Sequence, residues 1–202
     1  MSYKLLSFIG PRKYIEAYYT YNNRKTHRPC QFIQEALIEL FCEKWKDTDQ
    51  MVIFLTEESK RKNWLSKKEC KDANFEKGLK ERLEEVKENL QLDIHVREVE
   101  IPEGRNEEEL WEMFEKINDS LDERDIVIFD ITHSFRSLPI LTLVALNYVR
   151  FLKEVDINKI IYGAMEARGS SNEVKKIPLE KRIIPIFCLL YTSDAADELD
   201  GV

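Results

Sequence analysis

The apolar positions of this chain fall into short runs and spaced stripes that alternate along its length. Lys4 to Ile9 is a nearly continuous apolar run and predicts a first strand, ended by Gly10-Pro11-Arg12. Tyr14 to Tyr21 alternates loosely and Asn22-Asn23 is a turn signal, so a small hairpin returning through Arg24 to Arg28 is expected. From Gln31 to Phe41, the apolar residues Phe32, Ile33, Ala36, Leu37 and Leu40 recur at helical spacing. Met51 to Leu55 predicts a second strand, ending at Thr56. Glu57 to Leu90 is charged and reads as mostly helical, with Leu79, Leu83, Val86 and Leu90 as one stripe and the charges as a solvated face. Leu92 to Ile101 predicts a third strand, closed by Pro102-Glu103-Gly104. Asn106 is placed to cap a helix whose stripe is Leu110, Met113, Phe114, Ile117 and Leu121.

The rest of the chain is organised around Asp125 to Pro139. Asp125 to Ile131 is nearly all apolar, the pattern of a strand buried on both faces of a parallel sheet. The chain then turns polar at Asp130, Thr132, His133, Ser134 and Arg136. Ser137 can cap a helix, and Pro139 is tolerated in a first turn. That helix is apolar nearly all round. Leu141, Val144, Ala145, Tyr148 and Leu152 form one stripe, and Ile140, Leu143, Leu146 and Val149 a second. It needs cover on more than one side, from a helix of the same chain or from a second copy of it. Lys159 to Met165 predicts a fifth strand, Gly169 to Asn172 a turn, and Arg182 to Phe187 a last short strand. This alternation implies an α/β fold: a mainly parallel, doubly wound sheet flanked by helices, with the Asp125 to Ile131 strand near its centre.

At 202 residues the chain suits one domain with a sizeable core. A net charge of -7 argues against bulk coating of nucleic acid, and no direct DNA binding is expected, while a local basic pocket remains compatible. Cys30, Cys42, Cys70 and Cys188 form no CxxC pair, which fits reduced thiols and a cytoplasmic setting. The three histidines are scattered, so no metal site is expected. Gly10-Pro11-Arg12 is not a GxGxxG loop, so no nicotinamide or flavin cofactor is expected. No signal peptide or membrane span is visible.

In such a sheet the strand ends converge on one rim: Gly10, Pro11, Arg12, Thr56, Thr132, His133, Ser134, Phe135, Arg136 and Glu166. That set suits a nucleotide with phosphates. Backbone N–H groups near Ser134 to Arg136 can hold phosphate oxygens, Arg12 or Arg136 can pair with phosphate, and Thr132 and Ser134 offer hydroxyls. Asp130 serves either the ligand or the backbone at the strand end. His133 is either a ligand contact or a structural histidine, and Arg136 either a phosphate contact or a helix ion pair. Arg24, Lys25 and Arg28 read as a solvated hairpin surface.

The stretch from Asp130 to Arg136 resembles the DxTHG signature, often continued as Phe-Arg, of CRISPR-associated CARF-domain proteins; Ser134 stands where that family usually has Gly. Leu5 to Gly10, Gln31 to Leu37 and Tyr162 to Arg168 agree with the family in the same order, so the resemblance covers about Lys4 to Phe187. It implies a Rossmann-like CARF domain of a type III CRISPR protein. Its ligand would be cyclic oligoadenylate, bound across a homodimer formed through the helix after Ser137. The resemblance implies a sensor controlling an attached effector, an RNase of the HEPN type being the first expectation. The alternative is a metal-independent ring nuclease, with 2′-hydroxyl attack on the adjacent phosphate, His133 as acid or base and Arg12 or Arg136 steadying charge. A generic mononucleotide-binding Rossmann-like protein is the third reading. Cys188 to Glu198 is similar to one reading frame of a transposase-derived sequencing adapter, so residues 1–187 are expected to be the domain and 188–202 not part of it.

Overall fold

Strands of alternating in-and-out side chains, buried on both faces, form the middle of the molecule. The structure is a computed structural model and describes residues 1–68, 75–133, 138–164 and 177–191. In chain order, β1 (Tyr3–Ile9) is followed by the hairpin β2 (Tyr18–Tyr21) and β3 (Arg24–Lys25), then α1 (Ile33–Phe41) and β4 (Gln50–Leu55). A short α2 (Glu57–Ser59) runs into a π-helix, Lys60–Trp64. A two-stranded ladder of β5 (Lys67–Lys68) and β6 (Phe75–Glu76) precedes α3 (Leu79–Leu90) and β7 (His95–Glu100). Then come α4 (Glu107–Asn118), β8 (Ile126–Asp130), α5 (Leu138–Lys153), β9 (Asp156–Gly163) and β10 (Ile183–Tyr191).

The main sheet has the order β3-β2-β10-β9-β8-β1-β4-β7. The run from β7 to β9 is parallel throughout, and β10 is antiparallel to β9. From β1 the chain first winds outward through β4 and β7, then returns to the other side of β1 to lay down β8 and β9. The winding therefore reverses between β1 and β8, and the crevice beyond their carboxyl ends is a topological switch point.

The pleat sends alternate residues into two apolar layers. Leu5 and Ile9 of β1, Met51, Ile53 and Leu55 of β4 and Ile128 of β8 pack with α1 and α3. Leu6 and Phe8, Val52 and Phe54, and Val127 and Phe129 pack with α4 and α5 on the other side. The predicted central strand is thus interior, flanked by β1 and β9. Residues Ile33 to Leu40 of α1 are all buried, wider than the predicted stripe, because sheet, α3 and the β2 hairpin cover the helix together. Its buried Glu35 is matched: the carboxylate accepts the backbone N–H groups of Gln31 and Phe32, each at 3.0 Å.

Several boundaries differ from expectation, each for a local reason. The predicted turn Asn22-Asn23 has both residues at positive φ, 45° and 61°, as a tight two-residue hairpin requires, but the return strand is only Arg24–Lys25. Glu57 to Leu90 is mostly helical but broken into two pieces, Glu57–Trp64 and Leu79–Leu90, since its apolar stripe begins only at Leu79. β7 starts at His95, because Gln91 turns left-handed (φ 55°) at the end of α3 and Ile94 is spent on the α3 layer. β9 begins earlier than predicted, at Asp156. β10 runs past Phe187 to Tyr191, since β9 offers further register partners: Cys188 opposite Ile161, Leu190 opposite Ile160 and Tyr191 opposite Lys159. The predicted turn at Gly169 to Asn172 lies outside the described residues. Among the described residues, no helix is long and apolar enough to cross a membrane.

Candidate ligand-binding site at the switch point

β1 delivers Gly10 to the crevice, and Tyr14 folds back to hold it. The Gly10 N–H donates to the Tyr14 hydroxyl at 2.8 Å, and that hydroxyl lies 3.3 Å from the Gly10 carbonyl, to which it donates. Burial pushes the Tyr14 phenol well above its ordinary range, so it stays a neutral donor. The Tyr14 ring meets the His133 ring edge to face, with centroids 4.6 Å apart and planes at 85°. A Cβ placed on Gly10 would lie 3.9 Å from the His133 carbonyl oxygen. The loops after β1 and β8 therefore touch here, although 123 positions separate the two residues.

Beneath this contact lies a chain of buried polar groups. Ser7 follows Leu5 on the α1 side of β1, and Asp130 follows Ile128 on the same side of β8, so the pleat turns both inward together. The Ser7 hydroxyl donates to one Asp130 oxygen; the backbone N–H of Thr132, at 3.0 Å, and the Thr132 hydroxyl donate to the other. The Thr132 hydroxyl accepts the Gly163 N–H of β9 at 2.8 Å. Gln34 of α1 donates to the Ser7 hydroxyl at 3.0 Å and to the Phe8 carbonyl at 2.9 Å. Four elements are tied together under the rim. Asp130 is fully buried, and that burial raises its carboxyl pKa above the ordinary range, opposed by the hydrogen bonds from Ser7 and Thr132.

The predicted site residues thus divide. Gly10 is buried, Pro11 half-buried and Arg12 exposed along one lip; Thr132 and His133 are partly exposed on the other. Asp130 faces inward and frames the strand end. Thr56 is also buried and starts α2: its hydroxyl accepts the Ser59 N–H at 3.3 Å and lies 3.1 Å from the Ser59 hydroxyl. Ser134, Phe135, Arg136 and Glu166 lie outside the described residues. Sequence reasoning missed Tyr14, Ser7 and Gln34. Tyr14 sits in a stretch that reads as loose strand alternation, so it carries no local signal.

A cavity of about 610 Å³ lies beyond the ends of β4 and β7, where six glutamates, Glu57, Glu58 and Glu100 among them, outnumber Arg61, Arg105 and Lys116. Its carboxylates disfavour an anion, whereas at the switch-point rim Arg12 is exposed and the carboxylate of Asp130 is buried against Ser7 and Thr132. Among the described residues, no group of three or more His, Cys, Asp or Glu side chains is arranged to hold a metal ion.

Residues 4–166 match the family described as CRISPR system endoribonuclease Csx1, CARF domain. The chain belongs to this CARF-domain family. The matched span opens in β1 and takes in β8 and β9, so the switch point lies within the CARF domain. A stretch of 66 residues is also 35% identical to the CRISPR-associated protein MJ1674 of Methanocaldococcus jannaschii, and that match takes in 31% of this chain and 10% of the relative. The chain thus aligns with about a tenth of the relative's length.

Proposed function

We propose that this CARF domain is the sensor of a type III CRISPR defence protein. It binds cyclic oligoadenylate at the switch point, as a homodimer in which two rims face one ring, and its state controls an effector domain. The observation that supports this reading most is the meeting of the β1 and β8 loops through Gly10, Tyr14 and His133, next to the exposed Arg12 and above the buried Asp130. A polyanionic ring needs such a lip: a cation, hydroxyls and backbone N–H groups. Ser134, Phe135, Arg136 and Glu166 are the further residues proposed to contact the ring.

The dimer reading rests on α5. Ala145, Leu146 and Val149 face the core, while Val144, Tyr148, Phe151 and Leu152 are exposed. Phe114 of α4 extends this apolar face: its ring lies 5.3 Å from Tyr148 and 5.7 Å from the exposed Trp111. A second copy meeting this face about a twofold axis would cover it and present two rims to a ring of matching symmetry. Titration calorimetry with cyclic tri-, tetra- and hexa-adenylate, beside AMP, tests the proposal. One ring per two chains is expected. Equal affinity for AMP, or no binding of any ring, overturns it. Chromatography of the same mixtures distinguishes a sensor from a ring nuclease, for which linear products appear and His133 and Arg136 are the groups to substitute.

A further inference from the structure

The loop that forms one lip of the site, Gly10 to Arg12, is held from outside by a residue far along the chain. Asn63 stands on the π-helix, and its side-chain amide donates to the Gly10 carbonyl at 2.7 Å and to the Arg12 carbonyl at 2.8 Å. Both amide hydrogens are thereby used on one loop. The π-helix is itself anchored at each end. The Thr56 carbonyl accepts the Lys60 N–H at 2.8 Å, and the Lys60 carbonyl accepts the Leu65 N–H at 3.1 Å, the wider i to i+5 closure of this helix type. Trp64, next to Asn63, is buried, and its indole N–H donates to Glu98 of β7. At its far side the backbone of Gly78 presses against the chain from Trp64 to Ser66. Asn63 is therefore a fixed point, not a side chain free to follow the loop.

We propose that Asn63 is a positioning residue for anion binding at the switch point, acting through the Gly10 to Arg12 backbone. The inference rests on the ligand reading given above. A lip built to meet phosphates has to keep carbonyl oxygens, which are partial negative charges, from facing them. Asn63 takes up the Gly10 and Arg12 carbonyls together, and the Tyr14 hydroxyl gives the Gly10 carbonyl a second donor. Because a trans peptide points its N–H opposite to its C=O, tying down the Arg12 carbonyl also turns the Lys13 N–H away from Asn63. The Arg12 side chain then leaves a backbone of set direction, so less freedom is lost when it meets an anion.

The test is calorimetric titration of cyclic tetra-adenylate into the unaltered chain and into Asn63→Ala, Asn63→Asp, Asn63→Gln and Arg12→Ala variants, with melting curves of each free protein. Asn63→Ala should bind about fivefold to tenfold more weakly, the scale of the cost of ordering a lip side chain on binding that the free protein no longer holds in place. Asn63→Asp should lose more, since it sets a carboxylate against two carbonyls and near an anion. Its excess loss should shrink between about 0.1 M and about 0.5 M salt, a screening response that a merely structural defect would not give. Asn63→Gln, which keeps the donors, should recover part of the affinity. If Arg12→Ala weakens binding while all three Asn63 variants bind like the unaltered chain, this inference is overturned and the ligand reading stands. If the unaltered chain binds no ring, the ligand reading is overturned and this inference falls with it.

Discussion

Asp130 is a fully buried carboxyl group that receives hydrogen bonds from Ser7 and Thr132. Burial, the largest influence, raises its pKa. A carboxyl raised in the folded state holds its proton more tightly there than in the unfolded chain, whose value is about 3.9. Its stabilising contribution is therefore full below that value and is lost as pH rises through the higher folded one. The Asp130→Asn variant lacks this titration. The melting temperature of the unaltered chain, relative to the variant, should rise on going from about pH 7 to about pH 4; a flat difference would show that Asp130 is not raised. Thr132 is the next link. Thr132→Val keeps the shape but leaves the Gly163 N–H and one Asp130 oxygen short of a partner, so urea denaturation should show a loss of about 1–3 kcal/mol.

Among the elements, the end of the π-helix and α5 are the most exposed to test. A Cβ on Gly78 would lie 2.3 Å from the Trp64 carbonyl oxygen, 2.5 Å from the Leu65 carbonyl carbon and 2.7 Å from the Ser66 nitrogen. These are backbone atoms and cannot swing aside. Gly78→Ala should therefore destabilise the chain by about 1–3 kcal/mol in chemical denaturation, and an unchanged midpoint would contradict the packing. On α5, Tyr148 and Phe151 are 48% and 86% exposed, whereas Leu146 is wholly buried. The pair Tyr148→Glu and Phe151→Glu should leave circular dichroism unchanged and shift sedimentation from dimer to monomer. Leu146→Glu should instead unfold the domain, because it places an unpaired charge in the core. A Tyr148/Phe151 variant that remains dimeric would move the interface elsewhere.

For the molecule as a whole, the far side of the sheet is closed by β10, which joins β9 to the β2 hairpin. Ending the chain after Phe187 removes the register pairs at Cys188, Leu190 and Tyr191 but keeps the buried Ile184 and Ile186. The domain should still fold, with its melting temperature lowered by about 2–4 °C, as a loss of about 1 kcal/mol gives at this size. A larger fall would mean that the strand beyond Phe187 anchors the hairpin side of the sheet. No change at all would mean that those last pairs add nothing measurable.

Much of this was legible in the chain itself. The both-face apolar runs of β1, β4 and β8 required a covered parallel sheet, and Asn106 caps α4 as its spacing predicts, accepting the Glu109 N–H at 2.8 Å. The polar turn after Asp130 was visible as the end of a central strand. These features depend on periods of 2 and 3.6 residues, which a local stretch expresses fully. Adjacency is different. That β1 lies beside β8, that Ser7 and Asp130 turn inward together, and that Asn63 reaches the Gly10 loop follow from winding and packing over more than fifty residues. So too with α5: its sequence said only that it was apolar nearly all round. The tertiary structure decided which face the sheet covers and which it leaves exposed, because burial depends on what the rest of the chain brings alongside.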